Sequence, residues 1–187
     1  MGLKDIPNII SLLRMALVPP VVILLLNGYY GWALLVFVSA GLSDGLDGYL
    51  AKRFGWRSRL GAILDPLADK LLLVASYLTL GWLGQLPLWL VAVVVGRDIV
   101  IVAGAVAYHY RISQFHPMPS VLSKINTLAQ ILLIITVLVM HGLFALPAWI
   151  MSVLMFTVLI TTLLSGLGYV WVWGMRALHA KEDRSHD

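Results

Sequence analysis

The sequence predicts an all-α membrane protein: six transmembrane helices with both termini on the cytoplasmic side. Three observations carry that expectation. Hydrophobic residues make up 60% of the 187 and charged residues only 12%, with a mean hydropathy of +0.92. That is the composition of a polytopic bundle with little room for a soluble domain. Six apolar stretches are each long enough to cross a hydrocarbon core, which takes about 20 helical residues. Lys and Arg gather on alternate connections, as the positive-inside rule requires.

The first span is expected over 8–27. It carries Arg14 and Pro19-Pro20, and no small-residue cleavage site follows it, so it reads as a retained helix rather than a signal peptide. Asn27-Gly28 and Gly31 make the turn into the second span, 32–53, and a short basic connection leads to the third, 59–80. The run from 81 to 87, opening on Gly81 and closing on Pro87, separates the third from the fourth, 87–109. The fifth covers 121–141, and His141-Gly142 with Pro147 introduces the sixth, 147–173. Residues 1–174 thus form one membrane domain, and 175–187 a charged cytoplasmic tail.

The connections 28–31, 81–86 and 142–146 hold no Lys or Arg. The other side collects Lys4, Lys52, Arg53, Arg57, Arg59, Arg111, Lys124, Arg176, Lys181 and Arg184. The net charge of +4 therefore follows topology, and no nucleic-acid partner is expected. Cysteine is absent, which excludes disulfides and thiolate metal sites.

Against this apolar background, four of the nine acidic residues fall in two spans. Asp44 and Asp47 lie three apart near the end of the second, and Asp65 and Asp69 four apart near the start of the third. Both spacings put a pair on one helix face. At 1.5 Å per residue all four lie roughly 6–17 Å inside the cytoplasmic ends of their spans. Small residues flank them: Gly48 four after Asp44, Ala51 four after Asp47, Gly61 four before Asp65. The face is therefore open to a ligand. Gly41 and Gly45 form a small-xxx-small pair suited to helix packing, which would also permit a homodimer.

An acidic residue near the bilayer centre costs on the order of 2.5–3.5 kcal/mol, and mutual repulsion adds to that unless protons or cations neutralise the group. Structural stability offers nothing in return. With oxygen ligands alone, hard divalent cations such as Mg2+ or Mn2+ are the expected neutralisers. Two such ions match four negative charges, an arrangement suited to phosphoryl chemistry.

The run D-x-x-D-G-x-x-A followed by G-x-x-x-D-x-x-x-D, here Asp44, Asp47, Gly48, Ala51, Lys52, Gly61, Asp65 and Asp69, resembles the signature of the CDP-alcohol phosphatidyltransferases. Eight positions over 26 residues make the likeness specific. The six-span plan and the chain length fit that family as well. One position departs, because the family usually has Arg where Lys52 stands. Arg53 follows, and either residue can meet a phosphate, although only arginine offers a bidentate fork.

The resemblance implies transfer of a phosphatidyl group from a CDP-linked lipid to an alcohol, with release of CMP. It implies that Asp44, Asp65 and Asp69, with help from Asp47, hold two metal ions against the diphosphate, and that Asp69 is the general base. The nucleotide side falls to Asn8, Asp47, Gly48, Ala51, Lys52, Arg53 and Gly61. No Ser-His pair or cysteine nucleophile is visible, which favours direct displacement over a covalent intermediate.

Further polar residues recur at the same depth: Asn8 and Arg14 in the first span, Arg97 and Asp98 in the fourth, Lys124, Asn126 and Gln130 in the fifth. Arg97 and Asp98 either pair with one another or present Arg97 to a substrate. Arg97, Arg111 and Lys124 are the candidates for gripping an anionic acceptor. The segments GRDIVIVAGAVAYHYR and PSVLSKINTLAQ resemble the cardiolipin-forming branch of the family, found in mitochondria and some bacteria. The implied substrates are CDP-diacylglycerol and phosphatidylglycerol. The implied location is a bacterial or mitochondrial inner membrane, with the site facing cytoplasm or matrix. Glycerol 3-phosphate is the alternative acceptor, giving phosphatidylglycerophosphate. A cation or proton transporter would instead want acids near the midplane and inverted repeats, and neither is seen.

Overall fold

The computed structural model describes residues 6–54, 61–111 and 121–183, and the side chains of 9–43, 45, 67–103 and 121–168. Among the described residues there are six helices and no strand: α1 (Ile6–Leu26), α2 (Tyr30–Phe54), α3 (Gly61–Trp82), α4 (Leu88–Arg111), α5 (Val121–Gly142) and α6 (Ala148–Asp183). Each overlaps one of the six segments that the sequence marks as helical. The largest departure is α6, which continues to Asp183 although apolar length alone predicted an end at residue 173. The sequence from Met175 onward explains the extension. Its Ala, Leu, Arg, Lys and Glu residues are good helix formers with no Gly or Pro between them, and helix propensity is indifferent to where a hydrocarbon core ends.

The turns obey local rules. Gly28 ends α1 with φ +75°, and Gly84 follows α3 with φ +72°, a left-handed conformation that glycine adopts without strain. Around Gly28, the backbone N–H groups of Gly28 and Tyr29 donate to Leu25 and Leu24 at 3.0 and 2.9 Å. After α3, Gln85 N–H reaches Leu80 O at 2.9 Å. These bonds satisfy carbonyls that the helix ends would leave open. Pro87 and Pro147 stand immediately before α4 and α6, where a missing N–H breaks no helical bond. Pro19 and Pro20 lie inside α1, which continues through them.

Unlike in a water-soluble protein, many large apolar side chains are exposed while several polar ones are buried beside the apolar core. Exposed positions include Leu12, Leu13, Ile23, Trp32, Leu78, Ile99, Phe156 and Leu167, whereas Ser11, Arg14, Ser76, Arg97, Asp98, Asn126, Gln130, Thr162 and Ser165 are buried. A lipid solvent favours this pattern, since apolar tails meet the outer side chains and inward polar groups such as Arg14, Arg97 and Asn126 find partners in the bundle. The chain is an integral membrane protein. Among the described residues, Ile9–Leu26, Val121–Gly142 and Ala148–Gly168 are long and apolar enough to cross a bilayer, and Tyr30–Ser43 forms a shorter apolar stretch.

The chain divides into two bodies. The first joins Met1–Leu88 with Ile134–Ala148. In it α1 packs along both α2 and α3, which touch each other only lightly among the described residues. Among the described residues, α1 is the helix that α2 and α3 share. Its inward stripe is Ser11, Arg14, Val21 and Leu25, that of α2 is Ala33, Phe37 and Ala40, and that of α3 includes Ala68, Leu72, Ser76, Tyr77 and Leu80. Gly142 lies against the start of α2, where a β-carbon would stand 2.5 Å from Gly31 N. Nearby, a cavity of about 460 Å³ is lined by Tyr29, Tyr30, Trp32, Leu35, His141 and Leu143, among others.

The second body joins Trp89–Leu133 with Trp149–Asp187. Its buried apolar residues include Leu90, Val91, Val94, Ala129, Leu133 and Val158.

Candidate functional site

In the first body, α3 carries Asp69 one helical turn after Asp65. Arg14 reaches it from α1: Nη1 donates to Asp69 Oδ1 at 2.5 Å. The guanidinium is buried, with its side chain 1% exposed, whereas that of Asp69 is 42% exposed. A charge on an apolar helix is costly unless paired and hydrogen-bonded. Arg14 meets that condition because it shares the inward stripe of α1, and the packing of α1 on α3 delivers a carboxylate to it. Asp69 in turn keeps a partly exposed side chain while Arg14 holds its Oδ1.

Asp44 and Asp47 lie on α2 and Asp65 on α3. Their side chains lie outside the described residues, together with those of Gly48, Ala51, Lys52, Arg53, Gly61, Asn8 and Arg111. What the backbone establishes is that both helices bearing the motif pack on α1. Asp69 is the motif's only carboxylate among the described side chains, and no cluster of three metal-ligating side chains occurs among them. A half-exposed carboxylate in an all-oxygen donor set fits a hard divalent cation. Asp44, Asp47 and Asp65 are the residues that would complete its coordination.

The second body holds a separate polar cluster. Arg97 on α4 is 8% exposed, and its guanidinium donates to Asp98, Ser123 and Ser165. Nη1 donates to Asp98 Oδ1 at 2.6 Å, Nη2 to Ser123 Oγ at 2.7 Å, and Nε to Ser165 Oγ at 3.0 Å. The internal ion pair weighed from the sequence is therefore formed. Lys124, next to Ser123 in the first turn of α5, is exposed. One turn further, the Oδ1 of buried Asn126 accepts from Thr161 and Thr162 at 2.9 and 2.8 Å. Arg97 thus bonds to the residue that precedes Lys124 in the chain.

Sequence reasoning noted Arg14 but gave it no role, and it passed over Thr161, Thr162 and Ser165. The available signal was their spacing, since positions 161, 162 and 165 share one face of an otherwise apolar helix.

Residues 4–173 match the family described as CDP-alcohol phosphatidyltransferase. Among individual proteins, the chain is 34% identical over 145 residues to the cardiolipin synthase (CMP-forming) of Homo sapiens, covering 69% of this chain and 48% of that protein. Over 112 residues it is 41% identical to the protein of that name from Streptomyces coelicolor, covering 56% and 52%. A probable cardiolipin synthase (CMP-forming) of Drosophila melanogaster is 30% identical over 146 residues, covering 70% and 45%. The chain spans about half the length of these curated relatives.

Proposed function

Because the chain belongs to the CDP-alcohol phosphatidyltransferase family, we propose that it transfers the phosphatidyl group of CDP-diacylglycerol to phosphatidylglycerol, forming cardiolipin and CMP. The observation that carries this reading is the complete aspartate motif from Asp44 to Asp69, on two helices that both pack on α1. The names of its relatives support the choice of acceptor. We place all six helices across a bacterial or mitochondrial inner membrane, with both termini and the motif on the cytoplasmic or matrix side, as the distribution of Lys and Arg indicates.

In the proposed reaction, a primary hydroxyl oxygen of phosphatidylglycerol attacks the phosphorus that carries the diacylglycerol. The bond from that phosphorus to the CMP oxygen breaks, and CMP leaves with the electron pair. Asp69 takes the hydroxyl proton. Asp44, Asp47 and Asp65, together with Asp69, would hold two divalent cations, Mg2+ or Mn2+. Such ions supply charge neutralisation on the diphosphate. The nucleotide side is assigned to Asn8, Asp47, Gly48, Ala51, Lys52, Arg53 and Gly61. Lys124 and Arg111 grip the anionic acceptor, and Arg97 belongs to the same subsite through Ser123.

The experiment is product analysis on the purified protein, given CDP-diacylglycerol with either phosphatidylglycerol or glycerol 3-phosphate. The expected result is cardiolipin from the first and no product from the second. Phosphatidylglycerophosphate alone would reassign the acceptor while leaving phosphatidyl transfer intact. A charge-assisted hydrogen bond is worth about 1.5–3 kcal/mol, so Lys124→Ala should weaken acceptor use roughly 10–150-fold. Its KM for CDP-diacylglycerol should stay near that of the wild type.

A further inference from the structure

Helix α1 contributes no residue to the aspartate motif, yet it buries Arg14, the largest fully buried side chain among the described residues, against the motif's last member. At 1% exposure the guanidinium cannot touch a substrate. It touches Asp69 Oδ1. From this we infer that Arg14 is a positioning residue for phosphatidyl transfer. It pins one carboxylate oxygen of Asp69, and so sets both the direction in which that carboxylate faces the site and how tightly it holds a divalent cation. The inference rests on the reading of Asp69 as metal ligand and base.

Two physical effects follow from the contact, and they act in opposite senses. A planar guanidinium restricts the carboxylate to one orientation, and small misplacements of a reacting group slow turnover steeply. The same guanidinium places a positive charge beside a cation ligand and so opposes cation binding. Removing Arg14 should therefore tighten the hold on a cation while slowing the reaction. A merely structural arginine would behave differently, because loosening the packing of α1 on α3 would weaken cation binding and turnover together.

The test uses full-length protein in detergent micelles, as wild type, Arg14→Met and Arg14→Lys. Binding of Mn2+ is followed by the loss of the free-ion paramagnetic resonance signal, and kcat and the KM for CDP-diacylglycerol are measured at saturating Mn2+. For Arg14→Met the expected result is Mn2+ binding tighter by about threefold to tenfold, with kcat lower by at least about tenfold. Its KM for CDP-diacylglycerol should stay within about twofold of wild type. Arg14→Lys keeps the charge but loses the fork, so its Mn2+ affinity should stay near wild type while kcat falls by about tenfold. Mn2+ affinity and kcat falling in parallel, or kcat within about threefold of wild type in either variant, would overturn the inference. If Arg14→Met does not fold, the kcat of Arg14→Lys decides alone. A wild-type protein that neither binds Mn2+ nor releases CMP would overturn the reading of Asp69 itself, and the inference with it.

Discussion

Arg97 on α4 donates to Ser123 in the first turn of α5 at 2.7 Å, and the residue that follows Ser123 is Lys124. With its bonds to Asp98 and to Ser165 on α6, the one guanidinium ties three helices together. The start of α5, where an exposed lysine stands, is thereby fixed to a buried anchor. In the proposed acceptor subsite, the part of Arg97 is to hold this framework in place.

This makes Arg97→Ala a severe change. Removing one partner of a buried ion pair typically costs about 3–5 kcal/mol. Ser123→Ala removes the hydrogen bond from Arg97 and should cost about 1 kcal/mol. Arg97→Lys should not restore stability, because one ammonium cannot serve three directions at once with the guanidinium's geometry. Unfolding of the three variants in detergent, followed by circular dichroism, checks the order.

Gly142 tests the close approach of α5 to the start of α2. An alanine there would put Cβ 2.5 Å from Gly31 N and 2.8 Å from Tyr30 C, and neither backbone atom can swing away as a side chain can. Gly142→Ala should cost about 1–3 kcal/mol through overpacking. Gly31→Ala would meet Gly142 O at 3.4 Å, an ordinary contact, and should be milder. Turnover per folded molecule should be unchanged in both, since Asp44 lies more than three helical turns along α2 from Gly31. Thermal unfolding paired with CMP release measures the two effects separately.

The aspartates give the sharpest chemical expectation. Chelation with EDTA should abolish turnover, and added Mg2+ or Mn2+ should restore it. Asp44→Asn and Asp65→Asn should each remove activity while leaving the helix content unchanged. Asp69→Asn cannot take a proton at neutral pH and should lose at least about 10²–10⁴-fold, the usual contribution of a general base. Full turnover in chelated enzyme would sink the two-metal reading, and an Asp69→Asn variant close to wild type would send the proton elsewhere.

By itself the sequence determined the membrane class, the six helices to within a few residues at most ends, the glycine turns, and the aspartate motif with its family. These are local properties. The length of an apolar run, a glycine after a helix and a three- or four-residue spacing are all legible along the chain. Only the tertiary structure decided that Arg14 meets Asp69 across 55 residues, that Arg97 reaches Ser123 and Ser165, and that Asn126 collects Thr161 and Thr162. The physical reason is the solvent. In water an amphipathic stripe tells which face of a helix turns inward, but in lipid apolar side chains suit both faces, so hydrophobic periodicity loses that information. The inward face is then marked by a few polar and small residues, and their partners are settled only when the helices pack.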